Sequence, residues 1–136
     1  ECRTTMAHYQ DTHLETARQE GRVMKLASEE LDGGVLKVCL SGRMDILGVD
    51  AIAVPFAALA ATDNRRVIVD LSGGDFLASI GIRAILQNAR AHKLRGGGMV
   101  LLAPPPLVEE VLRAAGVANV VPVVSDLEAA RAALAA

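Results

Sequence analysis

Two short apolar runs, Val67-Ile68-Val69-Asp70-Leu71 and Met99-Val100-Leu101-Leu102-Ala103, constrain this chain most. Each is rich in branched side chains, is bounded by polar or turn-forming residues, and is followed by a stretch of helical length. Runs this short between breakers read as buried strands. In the stretch between them, a helix beginning near Ser79 puts Ile82, Ile85, Leu86 and Ala89 at i, i+3, i+4 and i+7. That spacing makes one apolar face to lie on a sheet, with Arg83, Gln87 and Arg90 on the other. Gly96-Gly97-Gly98 ends the helix, because glycine accepts the left-handed backbone of a helix C-terminus. Pro104-Pro105-Pro106 opens another, carrying Val108, Val111, Leu112 and Ala115 inward and stopping at Gly116. A last strand at Val120 to Val124 precedes Ser125-Asp126-Leu127-Glu128, whose Ser-x-x-Glu spacing is that of a capping box for a closing helix.

The first half fits the same scheme. From Val23 the segment VMKLASEEL, a turn at Gly33-Gly34, and the alternating VLKVCLSG form a hairpin. Asp45 to Ala61 is Ala-rich and helical in character. Pro55 there either starts the main body or kinks it, since proline lacks the ladder donor. The order β-β-α-β-α-β-α-β-α implies an α/β fold with right-handed crossovers and a mixed, partly parallel sheet of four or five strands. Residues 23–136 make one domain. Residues 1–22, polar and without sustained period, read as a flexible N-terminal extension.

Composition removes several functions. The 136 residues carry a net charge of −2, with no Trp, one Tyr and two Phe. Nucleic-acid binding wants clustered basic charge and stacking platforms, so no nucleic-acid partner is expected. The apolar runs fall far short of the roughly 20 residues that span a bilayer. No membrane insertion is expected, and a polar, charged start without the pattern of a signal peptide fits a cytoplasmic protein. Cys2 and Cys39 lack a CxxC or His partner, and His8, His13 and His92 lack ligand spacing, so neither a disulfide framework nor a metal site is indicated. No cofactor is implied. Gly73-Gly74-Asp75-Phe76 reads as a turn. Gly96-Gly97-Gly98 precedes a strand, so it lacks the geometry of a phosphate loop. Glu109 and Glu110, adjacent on a helix, cannot converge as an acid/base pair. No nucleophile, base and orienting group form a catalytic set, and an enzyme is not expected.

Ser79, in the stretch DFLASIGIRAIL, is the candidate that remains. A serine at a helix start is often only an N-cap, whose oxygen accepts a bond from the first turn. A hydroxyl there also faces unpaired N–H groups and the positive end of the helix dipole, which favour an added phosphate.

Ser41-Gly42-Arg43-Met44-Asp45, Val69-Asp70-Leu71-Ser72, Phe76-Leu77-Ala78-Ser79-Ile80-Gly81-Ile82 and Leu112-Arg113-Ala114-Ala115-Gly116-Val117 together resemble STAS domains of the anti-sigma factor antagonist family. The resemblance runs from about residue 24 to the C-terminus. It implies a small sheet with helices packed mainly on one side. It also implies a regulator that binds an anti-sigma factor serine kinase, is phosphorylated at the position of Ser79, and is reset by a serine phosphatase. The partner-binding residues it implies are Asp45, Ala78, Ser79, Ile80, Gly81, Arg83 and Gln87, with Gly81 leaving space for a partner's backbone. Asp45 is either a partner contact or the N-cap of the next helix. In two places the chain departs from the family pattern: Ala78 stands where an Asp usually precedes the serine, and Ile80 where a small polar residue is common. STAS-like chains also serve as soluble subunits of membrane lipid or anion transport systems, which is the alternative reading.

Overall fold

In a computed structural model, residues 24–60 and 65–135 are described. The expected N-terminal extension lies outside them. Strands β1 (Lys25–Leu31) and β2 (Val35–Met44) form the hairpin. Helix α1 (Ile46–Ala60), strand β3 (Arg66–Leu77), helix α2 (Ser79–Leu94), strand β4 (Gly98–Leu102), helix α3 (Pro106–Ala114), strand β5 (Val123–Val124) and helix α4 (Leu127–Ala135) follow in the expected order. The sheet has spatial order β1-β2-β3-β4-β5. Only β1 and β2 pair antiparallel; every other pair is parallel.

The sheet separates two cores. Leu36, Val38 and Leu40 of β2, Val67, Val69 and Leu71 of β3, and Met99 and Leu101 of β4 meet Ile52 and Phe56 of α1, Ile85 and Ala89 of α2, and Val108 and Leu112 of α3. On the opposite face Val35, Ile68, Val100 and Leu102 meet Ala130 of α4. Three helices on one face and one on the other explain why β3 and β4 read as unbroken apolar runs: both faces of these strands are covered.

The structure corrects four local expectations. Gly73-Gly74-Asp75-Phe76 is not a turn: β3 runs through it to Leu77, paired with β2 at Ser41↔Gly73, Gly42↔Gly74 and Arg43↔Phe76 across two register shifts. A Cβ on Gly73 would lie 2.8 Å from Ser41 Cβ, so the glycine permits a close approach of strands. On α3, Val108 and Leu112 are buried while Val111 and Ala115 are exposed. The last strand is confined to Val123–Val124, since Val117–Asn119 forms a 3₁₀ turn. The cap of α4 is Asp126, whose Oδ1 accepts from the Ala129 N–H at 2.8 Å; the predicted Ser125 box does not form the start. Pro55 lies buried within α1.

Candidate functional site

Strands β2 and β3 run parallel, so their C-terminal ends reach the same edge of the sheet, where each turns into a helix. The two junctions are tied by a hydrogen bond from the Ala78 N–H to the Met44 carbonyl, 3.1 Å. At the first junction, Asp45 caps α1. Its Oδ1 accepts from the Gly48 N–H at 2.9 Å, and its carbonyl accepts from the Val49 N–H at 2.9 Å. The other carboxylate oxygen lies 3.3 Å from Arg43 Nε. The Arg43 guanidinium stacks 4.3 Å over the Phe76 ring of the neighbouring strand. Of the two alternatives for Asp45, the cap is the one its geometry fills.

The second junction is built differently. The N-cap of α2 is Ala78, in extended conformation and without a side-chain cap bond; Ser79 is the first helical residue. Of the two readings of Ser79, the N-cap is therefore the one its position does not fill. Its hydroxyl is exposed and accepts no bond from the first turn, which contains no acidic residue. Gly81 is corrected: it is buried and faces inward. A Cβ there would lie 2.8 Å from Leu77 Cδ1 and 2.9 Å from Met44 Cβ, so the bare backbone seats α2 on the ends of β2 and β3.

Outward from Ser79, helical spacing brings two of the remaining candidates, Arg83 and Gln87, together with it. Ser79, Ile82, Arg83, Leu86, Gln87 and Arg90 line one shallow groove of about 420 Å³ along α2. Ala78 is half-buried beside it, and Ile80 is exposed on the first turn. Apolar side chains left in water at the same edge of the sheet are Ile46, 70% exposed, with Leu47 and Phe76. Sequence reasoning missed this apolar group and the Arg43–Phe76 stack. An apolar pair directly after the capping Asp45 was the available signal for Ile46 and Leu47; the stack depends on strand register and had none. Among the described residues no cluster of three His, Cys, Asp or Glu side chains is placed to hold a metal ion. No described helix is long and apolar enough to cross a membrane.

Comparison with known proteins places this geometry. The STAS domain family profile matches residues 27–130. BtrV of Bordetella bronchiseptica, named as an anti-sigma factor antagonist, is 34% identical over 110 residues, covering 81% of this chain and 94% of BtrV. Among solved structures, an anti-sigma factor antagonist from Mycobacterium paratuberculosis superimposes with a TM-score of 0.73 at 23% identity, over 83% of this chain and 95% of that one. The Bacillus cell fate determinant SpoIIAA in its phosphorylated form superimposes with a TM-score of 0.59 at 19% identity, over 76% of this chain and 93% of that one. The two structures share the fold, and the sequence match carries the kinship: the chain belongs to the STAS domain family of anti-sigma factor antagonists.

Proposed function

We propose that this protein is a partner-switching regulator of transcription, which binds an anti-sigma factor serine kinase through the edge where β2 and β3 end and is released when Ser79 is phosphorylated. A serine phosphatase restores the binding form. The observation that carries the reading is the uncommitted Ser79 hydroxyl: exposed, on the first helical residue of α2, and unused as a cap. The leading N–H groups of a helix lack intrahelical partners, so a phosphate at this position gains backbone donors and a favourable dipole. The same phosphate adds about −1.5 to −2 charges to a contact surface, where like-charge repulsion and desolvation oppose docking. Exposed Ile80, Arg83 and Gln87, with Ile46, Leu47 and Phe76, supply the apolar and polar contacts. Asp45 serves this surface by holding the start of α1 and the position of Arg43.

Ala78 supplies no carboxylate before the serine, so the kinase that acts here recognises Ser79 without one. Kinship with BtrV, matched over nearly its full length, supports sigma-factor control over the transport-subunit alternative. The test is incubation with candidate anti-sigma kinases and ATP, followed by mass spectrometric mapping. Phosphate at Ser79, absent in Ser79→Ala, is the expected result; phosphate elsewhere, or none with the kinase that binds the protein, rejects it.

A further inference from the structure

Helix α2 (SIGIRAILQNARAHKL) contains Arg83, Arg90 and Lys93 and no Asp or Glu, in a chain whose net charge is −2. Arg83 is exposed and makes no ion pair among the described residues, unlike Arg43 and Arg113, which are held by Asp45 and Glu109. It stands four residues after Ser79, and both line the same groove. Residues at i and i+4 share a helix face, and side chains lean toward the helix N-terminus, so the first turn lies within reach of an Arg83 guanidinium. Two carboxylates stand at this edge among the described residues: that of Asp45, engaged by the Gly48 N–H and Arg43, and that of Asp75, exposed near the end of β3 four residues before Ser79.

We infer that Arg83 is the intramolecular receptor for a phosphate on Ser79. The modified side chain and the guanidinium close into an ion pair within α2, with parallel N–H···O bonds of the kind arginine makes to phosphate. The pairing gives the switch a second component. Phosphorylation adds negative charge at the docking edge and also withdraws Arg83 from the surface offered to a partner. An acidic group on that partner then loses its counter-charge. This inference rests on Ser79 being the modified residue, and its test needs neither kinase nor partner.

The full chain is produced with phosphoserine incorporated at position 79, as wild type, Arg83→Gln and Arg90→Gln. The second ionisation of the phosphate is followed by ³¹P NMR. An exposed i,i+4 ion pair favours the dianion, so removing Arg83 is expected to raise the phosphate titration midpoint by about 0.3 pH unit. The gap should close toward 1 M salt, where the screening length is about 3 Å. Arg90→Gln, which removes the same charge farther along the helix, should leave the midpoint at its wild-type value. Coincident curves for wild type and Arg83→Gln, or equal shifts in both variants, overturn the inference. The two readings fail separately: a shifted midpoint without any kinase that modifies Ser79 sinks the proposed function alone, and kinase modification with coincident curves sinks this one alone.

Discussion

The two strand-to-helix junctions at the ends of β2 and β3 are neighbours joined by a backbone hydrogen bond, yet they use their polar residues in opposite ways. Asp45 is consumed by structure: one oxygen caps α1, and the other holds Arg43 against Phe76. Ser79 is withheld from structure: the cap position before it is an alanine, and the serine itself is exposed. A helix start without a side-chain cap gives up the roughly 1 kcal/mol that a good cap contributes. The difference teaches where to look for function in a small regulatory fold: at the polar group the fold leaves unspent, beside one it has used.

That contrast yields predictions that differ in size. Gly81→Val forces a branched side chain against Leu77 and Met44, and overpacking of this kind costs about 1–3 kcal/mol. Urea denaturation should report a lower midpoint, and a variant as stable as wild type would mean the two junctions are not packed against each other. Asp45→Ala should cost about 1 kcal/mol through the lost cap, read as a reduced melting temperature. Ser79→Asp places a carboxylate in an acid-free first turn and should stabilise by about 0.3–1 kcal/mol at low salt, even as it weakens partner binding. Ser79→Ala should change stability by less than about 0.5 kcal/mol, since no bond is lost. If Ser79→Ala costs as much as Asp45→Ala in thermal denaturation, the serine is a cap after all and the contrast collapses.

The order of elements was legible because strands and helices write different periods into the chain, and each period survives burial. Arg83, Gln87 and Arg90 could be assigned to an outward face for the same reason. What could not be read depends on pairing between distant segments. Gly73-Gly74-Asp75-Phe76 carries the composition of a turn, and only the register against Ser41, Gly42 and Arg43 reveals it as strand. Gly81 has no hydrophobic side chain to mark it as inward-facing, though Met44 and Leu77 leave it no other place. Ser125 and, in one of its two readings, Ser79 have the composition of caps, but in each case a neighbouring residue occupies the cap position: Asp126 after the first, Ala78 before the second. A one-residue offset in a helix start decides whether a hydroxyl is structural or free, and local composition does not resolve it.

The central claim is that the ionic state of one exposed side chain sets affinity for a partner. Its most direct measurement is titration calorimetry of the anti-sigma factor against the unmodified protein and against the same chain carrying phosphoserine at position 79. The account predicts that the phosphate weakens binding by at least about tenfold, a loss of about 1.4 kcal/mol or more. Equal affinity for the two forms would contradict it.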